Sequence, residues 1–184
     1  DEFINFMIEI DPAQYLIGSN NGLYSYNLRS FSKIKLNNKQ SDRLKVFAVS
    51  KPTSQGYFLA TNQGLAIFNK SGEFNLSDKH HSQLPGRAIG ALLVNDKQQL
   101  WIAVNQLGLF QFDNEGNLVR SFSSHPNFGN IYFKSIIQQQ ENLWISSDCG
   151  LIQFNTASEA IHFFHENDGL QDAVFFTNAA AKGA

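Results

Sequence analysis

The 184-residue chain holds one cysteine, Cys149, which excludes an internal disulfide and a cysteine-cluster metal site. Charge is scarce as well. Charged residues are 16% of the chain, net charge is -2, and no basic block occurs. The electrostatic footprint of a nucleic-acid binder is therefore missing. No apolar run approaches the roughly 18 residues of a membrane helix, so no membrane contact is expected of this segment itself. No leader pattern opens the chain. A start at Asp1 rather than Met is what a mature or excised segment would show, so this absence excludes no compartment. There is no Gly-x-Ser-x-Gly elbow, no glycine-rich phosphate loop and no alternating calcium-loop carboxylates.

Aromatics are abundant. They make up 13% of the chain, 17 of them phenylalanines, and 42% of residues are apolar. Disordered chains have the opposite composition. The aromatics recur in four matching segments: Tyr15 to Asn27, Tyr57 to Asn69, Leu100 to Asp113 and Leu143 to Asn155. Each contains a shared glycine, Gly22, Gly64, Gly108 or Gly150, at separations of 42, 44 and 42 residues. A period of this size fits β-propeller blades and some helical solenoids.

The inside of the repeat decides for strands. Each unit has a short apolar run, a polar turn ending in glycine, and a second short run that alternates. No i, i+3, i+4 apolar stripe persists over three turns. Asn20-Asn21-Gly22, Asn62-Gln63-Gly64 and Asp148-Cys149-Gly150 supply the positive φ of tight hairpins. The third unit has one extra residue, which predicts a three-residue loop or a bulge at Asn105-Gln106-Leu107. An apolar strand is expected before each hairpin (Phe3 to Ile10, Leu44 to Val49, Ile89 to Val94, Phe133 to Ile137). A more polar one is expected after it (Phe31 to Leu36, Glu73 to Leu76, Leu118 to Phe122, Ala160 to Phe164). The fold class is thus all-β: a β-propeller of four four-stranded blades, about 2–40, 41–84, 85–128 and 129–167. Residues 168–184 would start another blade or a connector.

Leu143-Trp144-Ile145-Ser146-Ser147-Asp148-Cys149-Gly150-Leu151-Ile152-Gln153-Phe154-Asn155 resembles the two-component regulator propeller repeat. Leu100 to Asp113 is similar apart from its extra residue, and the first two units fit more loosely. Leu84-Pro85-Gly86 resembles the turn that precedes a blade in that family. Asp168-Gly169-Leu170-Gln171, with Phe176, Asn178 and Ala179 to Lys182, resembles the segment after its last repeats. The resemblance implies a periplasmic sensor domain, the extracytoplasmic part of an inner-membrane signalling protein with a histidine kinase or diguanylate cyclase output. It also implies a small-molecule ligand, a saccharide among the candidates, and a ring of about seven blades. Four blades would then be part of a larger ring, with open blade faces that favour self-association; the alternative is four blades that close tightly on themselves, the last strand helping to latch the ring.

Catalytic chemistry finds little support, and neither enzyme activity nor a cofactor is expected of this segment. His80 and His81 read as solvated loop residues. His162 and His165, three apart on a strand, point to opposite faces, so no metal site is expected. Asp42, Asp78, Asp96, Glu115, Glu141, Asp148, Glu159, Glu166 and Asp168 read as turn and surface carboxylates. Cys149 lies beside Asp148, which disfavours its thiolate. Gly22, Gly64, Gly108, Gly150, Trp101 and Trp144 read as structural repeat residues. Ligand candidates lie outside the repeat register: Phe128 and Tyr132 on the loop His125 to Phe133, and Arg43 and Arg87 before inner strands. The alternative function is a non-catalytic propeller scaffold for protein–protein contacts.

Overall fold

The computed structural model describes residues 3–37, 43–84, 88–123 and 125–181. Strands dominate. Among the described residues, sixteen of them form four separate antiparallel sheets of four, each in simple up-and-down order and each referred to below as a blade. Blade 1 contains β1 (Ile4–Asp11), β2 (Gln14–Ser19), β3 (Gly22–Tyr26) and β4 (Phe31–Ile34). Blade 2 contains β5 (Val46–Val49), β6 (Tyr57–Thr61), β7 (Gly64–Phe68) and β8 (Phe74–Leu76). Blade 3 contains β9 (Ile89–Val94), β10 (Leu100–Val104), β11 (Gly108–Phe112) and β12 (Leu118–Ser121). Blade 4 contains β13 (Phe133–Gln139), β14 (Asn142–Ser147), β15 (Leu151–Asn155) and β16 (Ile161–Phe164). One short helix, α1 (Asp78–His81), follows blade 2. The chain divides into two compact units, Asp1–Ile89 and Gly90–Ala184.

In each unit two blades pack face to face. In the first, Leu16 and Leu23 of blade 1 share a core with Leu44, Val46, Leu59, Ala66 and Phe74 from the second repeat. In the second, Ala91, Trp101, Ala103 and Leu109 of blade 3 meet Ile136, Leu143, Ile145, Ile152 and Phe154 of blade 4. Strand alternation makes this possible. Trp101 and Ala103 point one way from β10, while Leu100, Ile102 and Val104 point the other and are also buried. Both faces of a blade are therefore apolar, and each large side chain contributes about 2–3 kcal/mol on burial.

The repeat residues have local causes. Ser19, Thr61 and Ser147 end the second strand of blades 1, 2 and 4. Their hydroxyls donate to the carbonyls of Gly22 (3.3 Å), Gly64 (2.6 Å) and Gly150 (2.8 Å). The same oxygens accept from the backbone N–H groups of Asn21, Gln63 and Cys149. Blade 3 has Val104 at this position, and its hairpin takes the three-residue loop expected from the extra residue, with Gln106 at φ 59°. Gly150 adopts φ 125°, and a Cβ there would lie 2.4 Å from the Phe164 carbonyl oxygen. The terminal Asn or Asp of each repeat also has a role. The Oδ1 atoms of Asn27, Asn69, Asp113 and Asn155 each accept two backbone N–H groups of the following turn. These donors, that of Asn117 foremost, hold the Asp113 carboxyl below its ordinary pKa.

Candidate ligand-binding rim

The hairpin turns and the entries to the inner strands meet at one end of each blade. Hydrogen bonds fix the meeting. Asn20 Oδ1 accepts from Phe3 N (3.0 Å) and Asn62 Oδ1 from Lys45 N (2.8 Å). Asn62 Nδ2 donates to the Arg43 carbonyl (3.0 Å). Asp148 Oδ1 accepts from Tyr132 N (2.9 Å), and the Tyr132 carbonyl accepts from Asp148 N (3.1 Å). In blade 3 the longer turn reaches across instead. Asn105 Oδ1 accepts from Phe133 N (2.9 Å), and Gln106 N donates to the Ile131 carbonyl (2.8 Å). The longer turn thus reaches the entry to the next blade's inner strand, while Asn105 Oδ1 also packs against Gly90 of its own inner strand.

The inner strands bulge at this same end. Register shifts fall at Asn5, Phe47 and Lys134, the second residue of β1, β5 and β13. Bulges re-aim side chains and free backbone groups. The Lys134 carbonyl accepts from Asn178 N (3.0 Å), and the Ser147 carbonyl accepts from Phe175 N (3.0 Å). The C-terminal segment therefore crosses this end of blade 4. A shallow cleft of about 460 Å³ lies there, lined by Leu170, Gln171, Asp172, Val174 and Phe175. Residues 170–181 form no regular strand.

The four ligand candidates have different positions. Tyr132 is on the rim, its backbone held by Asp148 and its side chain 42% exposed. Arg43 is exposed beside the Asn62 turn. Arg87 lies outside the described residues. Phe128 is corrected by the structure. It ends a short 3-10 turn, Pro126–Phe128, and is fully buried in the blade 3–4 core. Its ring packs edge-on against Phe133 (5.8 Å) and at a tilt to His125 (5.0 Å). The loop expected to present it folds inward because Phe128 and Ile131 fill the gap between two blades.

Trp101 is 1% exposed and Trp144 half-buried. His80 is a second correction. It is 1% exposed, not solvated, and its Nδ1 lies 2.6 Å from Ser77 Oγ. Its ring meets Phe58 edge-on at 5.7 Å. Burial, helped by Lys79, lowers its pKa to about 4.

Arg120 is a residue the repeat pattern does not mark. Its Nε donates to Gln111 Oε1 (2.7 Å) and its Nη1 to the Thr156 carbonyl (2.7 Å). The guanidinium lies 5.5 Å from the Trp101 ring centre and 5.8 Å from that of Phe122, with Glu159 3.6 Å away. It ties the outer strand of blade 3 to the β15–β16 turn of blade 4. An Arg four residues from a charged repeat turn would have been the only signal for it. Among the described residues, no group of three or more His, Cys, Asp or Glu could hold a metal.

No protein-family model matches the chain, and no curated protein does. Solved structures do. The "extracellular domain of the putative hybrid two component system BT3049 from B. thetaiotaomicron" superimposes with a TM-score of 0.71 at 17% identity, covering 99% of this chain and 25% of that one. The chain has the β-propeller fold. The corresponding BT4673 domain from the same organism gives 0.66 at 19% identity, over 88% of this chain and 22% of that one. An inactive virginiamycin B lyase from Staphylococcus aureus, solved with quinupristin, gives 0.64 at 18% identity, over 89% of this chain and 56% of that propeller. The chain therefore spans about a quarter of the two-component domains it matches. Those two neighbours agree with the resemblance to two-component regulator propeller repeats.

Proposed function

We propose that this propeller segment belongs to the periplasmic, ligand-sensing input domain of a membrane-anchored bacterial signalling protein, with a histidine kinase or diguanylate cyclase as output. The segment itself is non-catalytic. The observation that carries the reading is the rim: an exposed Tyr132 on a backbone clamped at both N–H and carbonyl by Asp148. A pre-positioned aromatic face beside amide and carboxylate groups suits a small polar ligand with an apolar face, the chemistry of a saccharide. The extracellular two-component domains that share the fold support the same reading. Among the described residues, no helix is long and apolar enough to cross a membrane.

Calorimetry of the chain against a panel of mono- and oligosaccharides tests it. Saturable heat with one sugar class, abolished by Tyr132→Ala, is the expected result. A panel without binding, or binding indifferent to that substitution, contradicts the site.

The alternative, a scaffold for protein contacts, draws on blade 1. Its outward face carries Met7 and Phe31, each more than half exposed, with Phe31 stacked on Tyr24 at 4.8 Å. Through this face the chain on its own is expected to pair with a second copy. Sedimentation of Phe31→Lys against the unmodified chain checks it: dimer for the latter, monomer for the former.

A further inference from the structure

Among the described residues of the second unit, the exposed large apolar side chains are Leu118 and Val119 on β12, and Tyr132, Val174 and Phe176 at the rim. Phe176 is the barest of them, at 84%. A lone exposed phenylalanine carries no information by itself. The backbone around Phe176 does. Phe175 N donates to the Ser147 carbonyl (3.0 Å) and Asn178 N to the Lys134 carbonyl (3.0 Å). Ala179 N closes a turn on the Phe176 carbonyl (3.1 Å), with Asn178 at φ 57°. Upstream, Val174 N donates to Asp172 Oδ1 (2.9 Å). Phe176 is thus held on a tied turn, and its side chain is left exposed.

The stretches that tie Phe176 also tie Tyr132. Asp148, next to Ser147, holds Tyr132 at both its N–H and its carbonyl. Lys134, which holds Asn178, lies two residues after Tyr132. Two residues of extended chain span about 7 Å, so both backbones stay within that reach of the Lys134–Asn178 bond. A sugar ring between two aromatic rings needs about 7–8 Å, twice the roughly 3.5–4.0 Å of a carbon–carbon contact. Gln171 and Asp172, which line the adjoining cleft with Phe175, supply polar atoms for sugar hydroxyls.

We infer that Phe176 is a ligand-contacting residue of this rim, a second aromatic wall facing Tyr132, with a pyranose stacked between the two rings. The inference rests on the saccharide-sensing reading and narrows its ligand class. Two walls select a sugar that is apolar on both faces. An all-equatorial β-linked glucan or xylan is such a sugar, because its axial C–H groups lie on both sides of each ring. A β-mannan carries an axial hydroxyl on one side and loses that face. Tyr132 alone, stacked on the unchanged face, would not separate the two classes.

Calorimetry of the full chain with cellohexaose, xylohexaose and β-1,4-mannohexaose, together with proton NMR of the bound sugar, tests the second wall. Cellohexaose and xylohexaose are expected to bind, and mannohexaose several-fold more weakly. Phe176→Ala should weaken cellohexaose by about tenfold and erase the preference over mannohexaose, while Phe176→Tyr keeps both. In the complex, the axial protons of both cellohexaose faces (H1, H3 and H5 on one, H2 and H4 on the other) should move upfield. Phe176→Ala should return one set to its free position. Without sugar, Phe176→Ala should melt like the unmodified chain, because the side chain is exposed. Cellohexaose binding that needs Tyr132 but ignores Phe176→Ala overturns the inference and leaves the sensory reading standing, as does an upfield shift on one face alone. A lowered melting temperature of Phe176→Ala also overturns it, since the ring would then be packed in the fold. No heat with any of the three sugars overturns it as well, and the sensory reading falls with it only if the wider saccharide panel is silent too.

Discussion

Trp101 and Trp144 hold the same place in consecutive blades and pair with the same phenylalanine, yet one is sealed and the other is half-open. The repeat writes the residue. The neighbouring sheet decides what it is worth. A propeller side chain is thus only as stabilising as the blade that arrives after it, because burial area and not residue type sets the energy.

Substitution to alanine should break the equivalence most sharply. Trp101→Ala is expected to cost about 4 kcal/mol, because it opens a cavity between Phe122 and Phe154. Trp144→Ala should cost about 1–2 kcal/mol. Urea unfolding of both variants measures the gap.

The same position in blade 2 is Phe58, and it is capped by His80. This cap is sensitive to protons. His80 stays neutral in the folded chain, with a pKa of about 4, whereas the unfolded chain protonates near pH 6.5. The unfolded state therefore binds the extra proton as pH falls from 6.5 to 4. Stability is full above pH 6.5 and should decline by roughly 3 kcal/mol by pH 4, the difference between those two pKa values. His80→Gln should flatten that part of the stability–pH curve.

Backbone positions sharpen the comparison further. Gly150→Ala meets both positive φ and the Phe164 carbonyl, so a loss of about 2 kcal/mol or more is expected. At Gly72, φ is also positive (80°) but nothing lies within 4 Å, and about 1 kcal/mol is expected. The smallest effect belongs to the hairpin hydroxyls. Thr61→Val should cost about 1 kcal/mol through the lost bond to Gly64. Val104→Thr should gain nothing, because the three-residue loop has moved the carbonyl it would need.

Much of this was readable from the residues. The glycine spacing and the alternating aromatics located the hairpins, and the extra residue at Asn105-Gln106-Leu107 gave the longer loop. Periodicity of two is a local signal, and strands obey it. What escaped was set by contacts between repeats. Phe128 belonged to a loop by sequence and to the core by structure, because Phe133 and Ile131 arrive around it. His80 sat in a polar stretch, yet Phe58 and Ser77 enclose it. Arg120 lay on a strand expected to face water, and it reaches back over Trp101 to a turn thirty-six residues later. At the rim, Tyr132 could be proposed from its place outside the repeat, but its clamp by Asp148 spans sixteen residues and has no local pattern.

The stacking of blade on blade is tested most directly by a double-mutant cycle between Trp101 and Phe154, two residues on different sheets whose rings lie 5.9 Å apart. Unfolding free energies of Trp101→Leu, Phe154→Leu and the double variant give their coupling. A coupling of about 1 kcal/mol is predicted. Additivity within about 0.3 kcal/mol would mean that the two faces do not meet.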